Sequence, residues 1–502
     1  MALLRAKTEQ GVVEGLHSAN PEIGVFKGIP FAAPPVGGLR WAPPQAPLPW
    51  EGVYRAWAFG PIPSQITEAS PFYMNEFYRC RKPVSEDGLF LNIWTPAGHA
   101  EARLPVMVWI HGGGFKSGYS HETTFDGDAL AKEGVILVTI EYRLGNFGFL
   151  AHPDLPHTNF GLLDQIAALK WVRRNIAAFG GDPGNITVFG QSAGAMSVQD
   201  LTISPLSRGL FQKALLQSAG GLTSPKLSYC AARPRAEAEA LGVRFLESLG
   251  CRTIEEARKL PSALLSEREK DFIAQTGCAF VPTVDGALLP EDPGGAVRAG
   301  RYADIPYLVG ATAFENGART YLPPADRAAF VADVRHKFGS DAEEFLRLID
   351  YDADPDCAVL HGGHDDVLKP GVFAFADHRA ANGKSTYVYH FTREMPGDGA
   401  GAYHSSELWY VFGTIGHCWR ALTGVDYDLS RAMVRYWANF AKTGDPNGGG
   451  LPVWEPYTAA NRRTMNLGLT VGMTGFRGTP RTRFIVERLL RENACIFGGA
   501  GL

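Results

Sequence analysis

The chain has 502 residues, 45% of them hydrophobic and 20% charged, with a formal net charge of −4. Such a composition supplies ample material for a large core, and the small charge singles out neither nucleic acid nor an anionic membrane as a partner. No apolar run approaches the roughly 18 residues of a membrane span, and the start Met1-Ala2-Leu3-Leu4-Arg5-Ala6-Lys7 lacks the apolar region of a secretory signal.

By length the chain could hold three average domains, but no Ser/Pro linker, charge block or repeat divides it. Lys7–Leu16 and Gly24–Ile29 read as an antiparallel lead-in. Phe72, Tyr73, Met74, Phe77 and Tyr78 then crowd one segment, where an ordinary surface loop would expose fewer large apolar groups. Leu104–Ile110 is a nearly continuous apolar run, the pattern of a strand buried on both faces. It leads directly into His111-Gly112-Gly113-Gly114-Phe115. Three glycines after a buried strand let backbone N–H groups approach a substrate oxygen without side chains in the way. That arrangement supplies part of an oxyanion hole, with Gly113 and Gly114 as the expected donors. A second buried strand is expected at Val135–Glu141 and a helix at Gly161–Phe179.

The most informative stretch follows. Asn185–Phe189 reads as a strand, Ala193–Val198 as the opening of a helix, and Gly190-Gln191-Ser192-Ala193-Gly194 joins them as G-x-S-x-G. A serine pinched between strand and helix takes a strained backbone conformation that exposes its hydroxyl, and the two glycines allow the backbones to approach. The helix start directs N–H groups and positive dipole at any oxyanion formed there, so the Ala193 N–H completes the hole.

Leu215–Gln217, Tyr307–Gly310 and Thr386–His390 are further short strands. His361-Gly362-Gly363-His364-Asp365-Asp366 holds metal-ligand residue types, but no second ligand cluster flanks it and no buried strand precedes it. It reads as a polar loop before a helix at Val372–Arg379, and no metal site is expected. Leu429–Thr443 carries Leu429, Met433, Trp437 and Phe440 on one face, which is core spacing. The alternation of strands and helices implies an α/β fold, a large mainly parallel central sheet flanked by helices, with its active site outside the carboxyl ends of the strands.

These motifs, with others in the same order, resemble the type-B carboxylesterases, the branch of the α/β-hydrolases that includes cholinesterases and bacterial para-nitrobenzyl esterases. The resemblance rests on Phe26-Lys27-Gly28-Ile29-Pro30-Phe31-Ala32, Ser85-Glu86-Asp87-Gly88-Leu89-Phe90-Leu91-Asn92-Ile93 and Tyr142-Arg143-Leu144-Gly145. It extends through Gly161-Leu162-Leu163-Asp164-Gln165, Gly401-Ala402-Tyr403-His404-Ser405-Ser406-Glu407-Leu408 and Tyr410-Val411-Phe412-Gly413. Because the matches span nearly the whole length, residues 1–502 are expected to form a single carboxylesterase domain.

The resemblance implies ester hydrolysis through a covalent acyl-enzyme. A serine hydroxyl needs a base, and the base an orienting carboxylate. The family pattern assigns these roles to His404 and Glu315, with Ser192 as nucleophile. Around Glu315 the family usually reads Asp-Glu-Gly or Asn-Glu-Gly, whereas this chain has Phe314 and Asn316 as neighbours. Beside the nucleophile the family commonly has glutamate. Gln191 stands there instead, with a hydrogen bond to Ser218 as the expectation. Arg143 with Asp164, and Arg40 with Glu86, match ion pairs that brace the family scaffold.

Secreted relatives close a loop with a disulfide whose second cysteine falls at the position of Gly88, which leaves Cys80 without that partner. Seven scattered cysteines, an odd number, fit a reduced compartment, and the expectation is a cytoplasmic bacterial enzyme. The expected partner is a small-molecule ester, with no cofactor, nucleic acid or membrane, and the chain acting as a monomer or small homo-oligomer. Non-catalytic binding proteins of this fold typically lack a triad residue, and here all three are present. A specialised ester, such as a hydroxycinnamoyl, pyrethroid or mycotoxin ester, is the narrower alternative.

Overall fold

Alternation along one buried strand shows how the molecule is layered. In Leu104–Ile110, Val106, Val108 and Ile110 belong to one core, while Met107 and Trp109 belong to the other, all fully buried. Successive side chains of a strand point to opposite faces, so a strand covered on both sides must be apolar throughout. Burying each Val, Ile or Met side chain completely contributes about 1.5–3 kcal/mol. The computed structural model describes residues 1–66, 71–78, 83–224, 231–315, 326–348 and 368–497, with side chains as far as residue 491.

Among the described residues, eleven strands form one sheet. They are β1 (Leu16–His17), β2 (Gly24–Pro30), β3 (Phe90–Thr95), β4 (Leu104–Ile110), β5 (Ile136–Ile140) and β6 (Gly181–Gln191). There follow β7 (Lys213–Gln217), β8 (Tyr307–Thr312), β9 (Tyr387–Phe391), β10 (Thr464–Leu467) and β11 (Val471–Thr474). Their spatial order is β11-β10-β9-β8-β7-β6-β4-β5-β3-β2-β1. Neighbours from β10 through β5 run parallel, and antiparallel strands flank both edges. β4 has β5 on one side and β6 on the other, so the chain reverses its direction of travel across the sheet at that point. A crevice opens there at the carboxyl ends of parallel strands, and both glycine-bearing turns leave the sheet beside it.

Helices Phe160–Asn175 and Ala193–Ile203 cover one face, contributing Leu162, Leu169, Trp171, Val198 and Leu201 to the core that holds Val106. Helix Gly424–Thr443 covers the other with Leu429, Met433, Trp437 and Phe440, the residues its periodicity singled out. It starts five residues before the expected Leu429, because Thr423 and Asp426 form a capping box that satisfies the first-turn N–H groups. Gly444, at φ 83°, stops it.

Other boundaries shift for local reasons. The expected strand Lys7–Leu16 is broken. Arg5–Thr8 and Gly11–Glu14 pair in a separate three-stranded sheet with Val53–Arg55, and only Leu16–His17 joins the large one. The helix expected over Gly161–Phe179 ends at Asn175 and tightens into a 3-10 turn over Ile176–Phe179 before Gly180 at φ 83°. The helix expected at Val372–Arg379 extends over Leu368–Ala381. Residues 361–366 and Cys80 lie outside the described residues. No helix among the described residues is long and apolar enough to cross a membrane.

Both scaffold ion pairs are formed. Arg143 grips Asp164 through Nε–Oδ2 at 2.8 Å and Nη2–Oδ1 at 2.7 Å, while its backbone N–H donates to Oδ2 at 3.0 Å. Arg40 meets Glu86 at 2.7 and 2.5 Å and donates to the carbonyls of Ala257 and Leu260. These bonds tie segments more than 200 residues apart to the sheet's edge.

Candidate active site

β6 ends at Gln191 and the next helix begins at Ala193, so Ser192 alone turns the chain, at φ 56° and ψ −128°. A non-glycine residue in such a region costs roughly 1–3 kcal/mol and persists where its surroundings over-determine it. Here the Ser192 N–H donates to the Gln217 carbonyl at 2.9 Å, and the Ser192 carbonyl accepts the Met196 N–H at 3.0 Å. The flanking glycines are required by close approach. A β-carbon on Gly190 would lie 2.5 Å from the Gly194 carbonyl, and one on Gly194 would lie 2.1 Å from the Ile110 oxygen.

The glycine loop after β4 faces this turn. Gly113 (φ 108°) and Gly114 (φ 63°) adopt the left-handed region, and a β-carbon on Gly113 would lie 1.8 Å from the Ser117 oxygen. The loop is pinned from behind. The Gly145 N–H donates to the Phe115 carbonyl at 2.7 Å, and His111 Nδ1 donates to the Gly112 carbonyl at 2.9 Å. His111 Nε2 lies 3.6 Å from Glu141, whose carboxylate also accepts from Ser120 N–H (2.9 Å), Ser120 Oγ (2.7 Å) and His121 Nδ1 (3.1 Å). Burial works to raise the Glu141 carboxyl, but the hydrogen bonds from His111 and His121 outweigh it and hold it at about 2. Sequence reasoning took Glu141 only as a strand end; its signal was a carboxylate inside an otherwise apolar strand.

Glu315 sits fully buried just beyond β8, where its Oε1 accepts the Thr312 N–H at 2.6 Å. Its Oε2 lies 2.5 Å from His404 Nδ1. A carboxylate takes the imidazole proton on Nδ1, which leaves Nε2 as the acceptor nitrogen. Gln191 Nε2 lies 3.2 Å from that nitrogen, so the amide donates to it. The expected bond from Gln191 to Ser218 is therefore corrected. The Ser218 backbone N–H donates instead to the Gly310 carbonyl, and the Gln191 amide turns to the imidazole. Asn316 lies outside the described residues. Glu407, three residues after His404 and fully buried, went unnoticed as a charge. Burial, then the neighbouring Glu315 charge, pushes its carboxyl up to about 8.

Ser192, His404, Gln191, Gly113 and Gly114 line one cavity of about 380 Å³. Ala193 opens the helix behind the serine, among first-turn N–H groups that have no intrahelical partner. Glu315 stands behind His404. The aromatic segment proves to be a short helix, Pro71–Glu76, with a following turn, and it divides two ways. Tyr73, Phe77 and Tyr78 line the cavity. Phe72 instead packs edge-on against Tyr403, with ring centroids 4.9 Å apart. Beneath them Glu76, 1% exposed, accepts from Arg420 Nε at 3.0 Å and Trp419 Nε1 at 2.9 Å, and from the Tyr403 hydroxyl.

A mostly parallel sheet, a strained serine between strand and helix, a glycine loop opposite and a buried His–Glu pair together define the α/β-hydrolase class. Comparison with known proteins narrows this. The carboxylesterase family model matches residues 4–345 and 358–485, and the chain belongs to that family. It is 37% identical over 471 residues to carboxylesterase 1E of Mus musculus, covering 84% of this chain and 81% of that protein. It is 35% identical to liver carboxylesterase 1 of Oryctolagus cuniculus, with the same coverage. Among solved structures, a thermophilic PNB esterase superposes with a TM-score of 0.81 at 31% identity, covering 94% of this chain and 97% of that one. The protein is a carboxylic ester hydrolase.

Proposed function

We propose that Ser192, His404 and Glu315 form the catalytic triad of a two-step acyl transfer. Ser192 Oγ attacks the ester carbonyl as His404 Nε2 takes its proton, and Glu315 orients and stabilises the imidazolium. The N–H groups of Gly113, Gly114 and Ala193 hold the tetrahedral oxyanion. Collapse expels the alcohol, which receives the proton from His404. Water, activated by the same nitrogen, then releases the acid and frees Ser192. The observation that carries the reading is the 2.5 Å contact between Glu315 and His404 Nδ1 beside a serine at φ 56°. A 4-nitrophenyl ester should give a burst of nitrophenol stoichiometric with enzyme, and acidified enzyme should carry the acyl group on the peptide containing Ser192. An acyl group on any other residue would overturn the assignment.

Strands from residue 16 to residue 474 share one sheet, which supports residues 1–502 acting as one catalytic domain. Free Cys251, Cys278 and Cys418 support a reduced, cytoplasmic setting in a bacterium. Small neutral or aryl esters suit a cavity with Tyr73, Phe77, Tyr78, Phe125 and Leu408 in its walls.

Two further results are expected. In the Gln191→Glu variant a carboxylate replaces the amide beside His404 Nε2 and favours the protonated imidazole, which is the inactive form of the base. The acid limb of kcat/KM should therefore move up by about one pH unit. An unchanged or lowered midpoint would show that solvent screens the charge. Phe77→Ala should raise KM for aryl esters more than for acetates of small alcohols. Phe72→Ala should leave that ratio alone and cost about 3–5 kcal/mol of stability, as a core aromatic does. Equal KM effects on both ester classes in Phe77→Ala would reduce that residue to scaffold packing.

A further inference from the structure

Three ionisable side chains other than His404 stand in the cavity wall among its described lining residues: Lys116, Glu122 and Lys270. They come from three places in the chain. Lys116 follows the glycine loop, Glu122 lies beyond it, and Lys270 projects from the helix Ser262–Thr276. Lys116 does not extend away from the protein. Its Cγ and Cε pass 3.9 and 3.6 Å from where a β-carbon of Gly114 would sit, so its stem folds back along the loop proposed to hold the oxyanion. Lys270 approaches the same space from the opposite segment, next to Ile273.

The carboxyls nearby do not cancel these charges near neutral pH. Burial, with the Glu141 charge, pushes Glu122 up to about 8 against the Tyr119 N–H it accepts at 3.3 Å. Behind Lys116, burial pushes Glu269 up to about 7, although Asn146 hydrogen-bonds to it and Lys116 pulls it down. At pH 7 the cavity wall thus carries two ammonium groups facing a carboxyl that is mostly protonated. A concave, partly apolar wall strengthens such a field relative to open water.

We propose that Lys116 and Lys270 select esters bearing a carboxylate on the acyl or alcohol part, so that the favoured substrates are monoanionic esters such as half-esters of dicarboxylic acids. The inference rests on the Ser192 reading above and names the substrate class of that site. Lys116 is the stronger determinant because its stem lies against Gly114, whereas Lys270 is exposed on its helix.

The test compares kcat/KM within two matched pairs at pH 7 and low ionic strength. One pair is 4-nitrophenyl hemi-adipate against 4-nitrophenyl hexanoate. The other is 4-carboxyphenyl acetate against 4-carbamoylphenyl acetate. In at least one pair Lys116→Met should lower the anionic-to-neutral ratio about tenfold, Lys270→Met about threefold, and Lys116→Arg should restore most of it. In the wild type, 0.5 M NaCl should shrink the same ratio, because screening reaches the cavity mouth. Ratios equal in wild type and both methionine variants, for both pairs, would overturn the proposal. The neutral esters keep the two readings apart. Turnover of neutral esters through Ser192 with no charge selectivity sinks this inference alone, whereas undiminished turnover by Ser192→Ala sinks the assignment of the site.

Discussion

Glu315→Gln is expected to lower kcat by about ten-thousand-fold while the protein stays folded. The Thr312 N–H needs an acceptor at the position of Oε1, 2.6 Å away, so a glutamine there must offer its carbonyl oxygen to Thr312. Its NH2 group then faces His404 Nδ1, which must become an acceptor, and the imidazole proton moves to Nε2. That is the nitrogen required to take the Ser192 proton, so the substitution inverts the tautomer in addition to removing the charge that stabilises the imidazolium. Circular dichroism and the unfolding midpoint should change little, because the shape of the side chain is kept. Near-normal turnover would mean that another carboxylate holds His404, and Glu407 would be the first to examine.

Asp164→Ala should destabilise the fold by about 3–5 kcal/mol in denaturant unfolding, with loss of activity only as the fold is lost. The Arg143 side chain is 5% exposed and that of Asp164 fully buried, so removing the carboxylate strands a guanidinium where water does not reach it. Burial raises the Asp164 carboxyl and Arg143 pulls it back down, the two influences expected of a desolvated pair. The loss comes from the stranded charge rather than from an intrinsically strong bond. The double variant Arg143→Met, Asp164→Leu should therefore unfold at higher denaturant than Asp164→Ala alone. A loss below about 1 kcal/mol for the single variant would place the pair among exposed ion pairs of little worth.

The nucleophile turn and the glycine loop were legible in the sequence because their physics is local. Gly190, Gly194 and Gly113 are each required by an atom within a few residues or on the adjacent strand, and a buried strand announces itself by composition. The helix over 424–443 was legible for the same reason in its core face, although its start was missed where Thr423 and Asp426 cap it. What stayed hidden depends on pairing across long stretches of chain. Glu76 reads as an ordinary surface helix residue until Arg420, 344 positions later, closes on it. Glu141 reads as a strand end until His111 and His121 fold back over it. Gln191 was noticed as a departure from the family pattern, but its partner was misassigned. Only the tertiary placement of His404 shows which of two nearby polar groups the amide meets. The division of the aromatic segment is of the same kind: Phe72 and Phe77 are alike in sequence, and the position of Tyr403 decides which one packs inward.

The central claim is that Ser192 is a nucleophile activated by His404. Its most direct measurement is covalent labelling with a fluorophosphonate probe, mapped by peptide mass spectrometry on wild type, Ser192→Ala and His404→Gln. The account predicts one phosphonyl group per wild-type chain, located on Ser192, none on Ser192→Ala, and labelling of His404→Gln slowed by orders of magnitude. Stoichiometric labelling of Ser192→Ala at another residue, or wild-type rates in His404→Gln, would contradict it.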